Sequence, residues 1–180
     1  MAQKRSGKLK VTLPSDTEIH YSRVFDAPKH LVFEAFTKPE YVRRWWGCMD
    51  GYTMTVCDID LRVGGTWRFV IVGQDTNEIA FTGVYKEIAP PDRLVNTEIF
   101  EMFPDAETLV KSSFVERDGK THYEAIQTFP NQQARDGAVT SGMEEGADIG
   151  YDRLEEVAKS LMSPAASGPS RDTPRVPVGR

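Results

Sequence analysis

The chain has 180 residues, a formal net charge of −5 and 39 % hydrophobic residues, which is the composition of one ordinary globular domain. The negative charge argues against nucleic-acid binding, because phosphate contacts need clustered Lys and Arg side chains. No run of about 18 apolar residues could span a bilayer, and the N-terminus lacks the apolar core of a signal peptide. We therefore expect a cytoplasmic protein without membrane insertion.

Residues 1–16 are expected to form a polar arm, in which Lys4, Arg5, Lys8 and Lys10 serve solubility. The alternation of apolar residues over 18–25 then predicts a strand.

Two short helices should follow this strand. Asp26 can cap the first, over 29–36, because its carboxylate can accept backbone N–H bonds and Pro28 fits the first turn. Thr37 precedes Pro39 in the same way and predicts a second helix that ends near Arg44.

The middle of the chain, 53–129, alternates short apolar stretches with turn residues, which is typical of consecutive antiparallel strands. Asp118-Gly119 indicates a tight hairpin. The predicted strands are 54–59, 66–72, 79–88, 93–100, 109–116 and 121–129.

The period then changes to that of helices. Asn131 can cap a helix from Gln132, and a long amphipathic helix is expected from about Thr140 to residue 162. It carries glycines at spacing four, which suggest a close backbone approach or space beside them. Residues 163–180 are rich in proline and are expected to form a tail outside the domain, 17–162.

This order of elements predicts an α+β helix-grip fold, in which a curved antiparallel sheet wraps around the long C-terminal helix. Only that helix is long enough to cover the apolar face of the sheet. A sheet curled around one helix rarely fills its interior, so a cavity is expected.

The sequence resembles the Bet v 1-like (START-like, SRPBCC) superfamily and, within it, the single-domain members of the family named after the activator of Hsp90 ATPase. The resemblance covers roughly 17–161 and rests on five motifs in the same order. They are RVFDAP at 23–28, FEAFTKPEYVRRWWG at 33–47, DLRVGGTWRF at 60–69, FTGVYKEIAPPDRLV at 81–95 and SGMEEG at 141–146.

The chain departs from this family at Ala147, where such proteins commonly carry Trp. The loss of the indole should widen the cavity, unless Tyr52 or Trp45 fills the place.

An aromatic set is the main functional signal, because rings offer large contact areas to an apolar ligand. Plain core packing explains each ring about equally well. The residues predicted to bind ligand are Trp45, Trp46, Trp67, Phe69, Phe81, Tyr85, Phe100, Phe114, Tyr123, Met143 and Ala147.

Catalytic signals are weak. Glu98 would be a general base if it were buried with a raised pKa, and His122 could form an acid–base pair with Glu124 if both faced the cavity. Cys48 and Cys57 have no metal or disulfide spacing, so no metal and no cofactor is expected.

Three functions remain open at this stage. The first is binding of a small hydrophobic molecule as a carrier, sensor or sequestering protein. The second is a polyketide-cyclase-like or hydrolase-like enzyme that uses the cavity. The third, an Hsp90-type chaperone regulator, rests on the family resemblance alone. Exposed aromatics at Trp45 and Trp46 would also permit a homodimer.

Overall fold

The computed structural model describes residues 7–163 and has the predicted α+β helix-grip fold. One curved antiparallel sheet has the strand order β1-β2-β8-β7-β6-β5-β4-β3. Its strands are β1 Lys10–Ser15, β2 Glu18–Phe25, β3 Thr53–Ile59, β4 Thr66–Val72, β5 Glu78–Ala89, β6 Arg93–Phe100, β7 Thr108–Arg117 and β8 Lys120–Thr128. The helices are α1 Lys29–Thr37, α2 Pro39–Val42, α3 Gln132–Thr140 and α4 Met143–Ser160.

The first strand lies where a polar arm was expected. Lys10–Ser15 pairs antiparallel with β2 at the edge of the sheet, and Leu9 before it is buried in the core. Nearly every residue of this strand is exposed, so it lacks the alternation that marks a strand in sequence. The predicted tail from 163 onward falls, but for its first residue, outside the described part of the chain.

Two of the three predicted helix caps are wrong. Pro28 occupies the N-cap of α1, while the Asp26 carboxylate lies 3.8 Å from Lys120 Nζ and 3.5 Å from Lys159 Nζ. Lys38 takes the N-cap of α2, because the Thr37 hydroxyl donates to the Phe33 carbonyl within α1.

The third cap and the hairpin are confirmed. Asn131 Oδ1 accepts the Ala134 N–H at 2.8 Å and starts α3. Asp118 and Gly119 both have positive φ, at 52° and 72°, as a two-residue hairpin with this twist requires.

The boundary of the last helix differs from prediction. The long helix was expected from about Thr140, but Gly142 adopts a left-handed φ of 81° and separates α3 from α4. An L side chain there would be strained, which explains the first glycine of the spaced set.

The concave face of the sheet carries the core. Side chains alternate along β2, so that Ile19, Tyr21, Arg23 and Phe25 point inward and their neighbours point outward. The pairing register places Tyr123 on the same face. Helix α4 covers this face with the buried residues Gly150, Leu154, Glu155, Val157 and Ala158.

A candidate ligand space between the sheet and the C-terminal helix

Part of the predicted aromatic set forms a closed cluster. Phe36 of α1 stacks on Tyr123 with ring centroids 5.0 Å apart, and both pack against Phe114. Trp45 joins the cluster through Phe36 at 5.2 Å and through Tyr151 of α4 at 6.0 Å. Phe114 is only 1 % exposed, so this cluster is the filled part of the interior.

A second group of rings forms an open row. Trp46 lies 5.3 Å from Phe81, and Phe81 stacks on Phe100 at 4.9 Å with nearly parallel planes. Phe103, which is 60 % exposed, continues the row at 5.7 Å from Phe100. Trp46, Phe81 and Phe100 are only half-buried, although Phe81 and Phe100 lie opposite each other on the concave face. Apolar surface of these rings therefore remains uncovered on the concave face of the sheet.

Three further residues of the predicted set lie beside this row on the concave face. Trp67, Phe69 and Tyr85 are all buried, and Trp67 donates its indole N–H to the Thr97 carbonyl at 3.2 Å. A Cβ at Gly83 would lie 1.9 Å from that carbonyl oxygen, so only glycine lets the indole bond form.

The first half of helix α4 carries small or flexible side chains. Met143 and Ala147 are half-buried and pack at the edge of the core. A Cβ at Gly146 would meet only Met49 Sδ, at 3.8 Å, whereas one at Gly150 would lie 3.5 Å from the Trp45 carbonyl oxygen. The predicted close approach therefore applies to Gly150, and space lies beside Gly146.

Of the two predicted substitutes for the missing indole, Tyr52 lies at the surface, whereas Trp45 packs on Gly150 and Tyr151, which share a helix face with Ala147. Tyr52 is 36 % exposed and lies beside Gly73 in a surface turn. Trp45 packs against Gly150, one helical turn beyond Ala147, and its indole N–H donates to the Ala35 carbonyl at 2.8 Å.

Polar side chains line the interior on strands β2, β6, β7 and β8. Gln127 Nε2 donates to Glu98 Oε1 at 3.1 Å and to Thr108 Oγ1 at 2.9 Å. The Tyr21 hydroxyl donates to Gln127 Oε1 at 2.9 Å. Burial raises the pKa of Glu98 from its ordinary value, and the hydrogen bond from Gln127 opposes this shift only in part. The raised pKa fulfils one part of the condition under which the sequence made Glu98 a candidate acid or base; the side chain is half-buried, and its catalytic role stays a prediction.

Three phenols share this interior. The Tyr123 hydroxyl lies 3.3 Å from Ser112 Oγ and 3.3 Å from the Tyr151 hydroxyl on α4. Burial raises the pKa of Tyr21, Tyr123 and Tyr151, and the charge of Glu98 contributes in the same direction to each.

The other catalytic candidate lies outside the cavity. His122 alternates with Tyr123 on β8 and faces the convex side, as does Glu124, which is 64 % exposed and lies 4.0 Å from His20 Nε2. The condition for an interior His122–Glu124 pair is therefore not met.

Two further expectations concern the surface and the thiols. Trp45 is 6 % exposed and does not supply an exposed ring for a dimer contact, whereas Trp46 packs on Phe69 at 5.1 Å and remains half-buried, so the homodimer stays a prediction. Cys48 and Cys57 are both free thiols. Burial raises the pKa of Cys57 to about 11.

Sequence reasoning missed several residues of the interior. Tyr21, Thr108 and Gln127 contact Glu98 or its partners, and Tyr151 carries a hydroxyl to the same region. Their positions on the inward face of β2, β7, β8 and α4 were readable from alternation and helical spacing. The contacts between these faces could not be predicted, because the hydrogen-bonded residues lie up to 106 positions apart in the chain.

Two surface concavities in the described part of the chain contain no ring of the predicted set. One is lined by Asn131, Gln132, Gln133 and Asp136, and the other lies around the start of α4 near Leu9 and Asp148. Within the described residues, no helix is both long and apolar enough to cross a membrane.

Comparison with solved structures places the fold among bacterial proteins. A protein from Rhodobacter sphaeroides is 25 % identical with a TM-score of 0.78, covering 86 % of this chain and 99 % of its own. A protein from Nitrosomonas europaea is 22 % identical with a TM-score of 0.73, over 83 % and 99 % of the two chains. The AHSA1-like protein from Aeromonas hydrophila is 18 % identical with a TM-score of 0.62, over 84 % and 99 %.

Comparison with curated proteins finds no match. The family model described as "Activator of Hsp90 ATPase homolog 1-like protein" matches residues 26–159, which is most of the folded domain. The SRPBCC fold to which this family is assigned commonly binds ligands in a cavity. The chain therefore belongs to the activator of Hsp90 ATPase homolog 1-like family.

Proposed function

We propose that this protein binds a small hydrophobic molecule between the concave face of β5 and β6 and the first half of α4, and acts as a carrier, sensor or sequestering protein. One observation carries the proposal: Phe81 and Phe100 form a stacked pair on the concave face and still retain accessible surface. A core without a cavity would cover such rings, because interiors pack to the density of organic crystals.

The boundaries of this space support the same reading. In this proposal the aromatic row is one wall and Met143 and Ala147, which pack against the core, are the other. The segment 45–49 connects the two, because Trp46 contacts Phe81 and Met49 lies nearest to Gly146. Apolar walls with a few fixed polar groups are the usual construction of ligand pockets.

The experiment measures the binding of 1-naphthalenemethanol, a neutral apolar probe, by isothermal titration calorimetry. Phe100→Ala should weaken binding about tenfold, because it removes an exposed ring that is not needed to close the core. Val115→Ala is the matched control, since Val115 is 47 % exposed on the convex face. Equal affinities of both variants and the wild type would place the probe elsewhere and contradict the proposal.

An enzyme is the second candidate, and the interior position of Glu98 favours it. A carboxyl group whose pKa is raised by burial can act as a general acid or base near neutral pH. Turnover of a bound hydrophobic metabolite that stops in Glu98→Gln, while binding persists, would support this candidate.

A further inference from the structure

One carboxyl oxygen in the proposed ligand space has no hydrogen-bond donor. Glu98 Oε1 accepts from Gln127 Nε2, and that amide is held in orientation by Thr108 and Tyr21. Among the described residues, nothing donates to Glu98 Oε2.

This oxygen is not sealed in the core. Within residues 7–163, the buried side-chain nitrogen and oxygen atoms that lack a partner are Nε and Nη1 of Arg23. Glu98 Oε2 lacks a partner and is not among them, so it borders accessible space. Glu98 lies on the concave face two residues before Phe100, a spacing of about 7 Å along the strand. The free oxygen and the aromatic row therefore lie on the same face of the sheet, close enough for one small ligand to contact both.

The surroundings of Glu98 contain phenols and an amide but no positive charge. The titratable groups that face it are Tyr21 on β2, Tyr123 on β8 and Tyr151 on α4, and burial raises the pKa of each phenol. In the part of the chain that the structure describes, no Lys, Arg or His side chain forms a hydrogen bond or ion pair with Glu98. An ionised carboxylate in such a place is costly until a cation pairs with it.

We infer that the ligand is an apolar molecule with a basic amine, whose ammonium group is held between Glu98 Oε2 and the aromatic row. This inference rests on the proposed function and specifies its ligand class. The ammonium would donate to the free oxygen, and the faces of Phe81 and Phe100 would stabilise its charge. A carboxylate ligand such as a fatty acid is disfavoured, because its charge would repel that of Glu98.

The test uses three probes that share one ring system and differ in charge. These are 1-naphthylmethylamine, 1-naphthalenemethanol and 1-naphthoate, each titrated calorimetrically into the full chain at pH 7. The amine should bind about tenfold tighter than the alcohol, which is the scale of one charge-assisted hydrogen bond, and the naphthoate should bind weakest.

Two variants assign the effect to the carboxylate. Glu98→Gln keeps an acceptor for Gln127 and should reduce the affinity of the amine to that of the alcohol. Glu124→Gln on the convex face removes the same charge from an exposed position and should change neither. Circular dichroism of both variants verifies that they fold.

Proton release on binding is a second readout, because a purely structural role of Glu98 would not produce it. Burial raises the pKa of Glu98 and pairing with an ammonium group should lower it, so binding of the amine should release protons from the protein. The binding enthalpy of the amine should therefore vary with the ionisation enthalpy of the buffer, and that of the alcohol should not.

The outcomes separate the two proposals. If the alcohol binds in the Phe100-dependent site but the amine gains nothing, or keeps its advantage in Glu98→Gln, the amine inference is wrong and the proposed function stands. If none of the three probes binds, the proposed function fails as well.

Discussion

Restoring the missing indole with Ala147→Trp should fill the proposed ligand space. Ala147 is half-buried on α4 and packs against the core, at the proposed wall of the ligand space. A tryptophan there would bury about 150 Å² more apolar surface, worth at most about 4 kcal/mol at roughly 25 cal/mol per Å². Lost rotamer freedom and lower helix propensity subtract about 1–2 kcal/mol.

We therefore expect the free energy of unfolding to rise by at most about 2–3 kcal/mol and the affinity for 1-naphthalenemethanol to fall at least tenfold. Urea denaturation and calorimetry measure the two quantities. Glu156→Trp is the matched control, because Glu156 is exposed on the same helix and should leave both quantities nearly unchanged.

The opposite result has a clear signature. If the interior beside Ala147 were already filled, the indole would overpack it and lower the stability by about 1–3 kcal/mol. A destabilised Ala147→Trp variant that still binds the probe with wild-type affinity would refute the reasoning about this space.

Three further predictions follow from the interior groups. Arg23→Ala should lower the free energy of unfolding, measured by urea denaturation, by about 3–5 kcal/mol. The Arg23 side chain is 1 % exposed, and its loss leaves buried carboxylates such as Glu155 without this partner. A loss below about 1 kcal/mol would show that the pairing is unimportant. Glu98→Gln should stabilise the fold at pH 7.5 but not at pH 4. The pKa of Glu98 is raised in the folded state, so the wild type loses stability as the pH rises above 4.5, the ordinary pKa of this side chain. An equal effect at both pH values would contradict this sign. At pH 8 a thiol reagent should modify the half-buried Cys48 well before Cys57, whose pKa is about 11, and equal labelling rates would show that the core opens readily.

The strands of the meander were predictable because each carries its own evidence. Thr121–Thr128 alternates between buried and exposed residues, and the turn at Asp118-Gly119 separates it from its neighbour. The edge strand Lys10–Ser15 carries no such pattern, because it packs on one side only and remains exposed.

Most features that could not be predicted from the sequence depend on contacts between residues far apart in the chain. Asp26 has the residue type and position of an N-cap, yet its carboxylate lies near Lys120 and Lys159, which come from distant parts of the chain. Glu98 was recognisable as a candidate from its place beside Phe100. Its partner Gln127 was not, since only the folded sheet brings the two strands to one interior.

The aromatic set illustrates the limit for the site itself. Alternation predicts that Phe100 and Phe114 both point inward, and both do. Whether an inward ring is covered depends on what α1 and α4 place above it, and Phe114 is covered by Phe33 and Phe36. The assignment of ligand contacts within the set therefore remains a proposal that only binding data can test.

The most direct test of the ligand space is a nuclear Overhauser measurement on the protein bound to 1-naphthalenemethanol. The account predicts contacts from the naphthalene protons to the ring of Phe100 and to the methyl groups of Met143 and Ala147. Contacts confined to the exposed residues Met102 and Phe103, or to the surface concavity around Gln132, would contradict it.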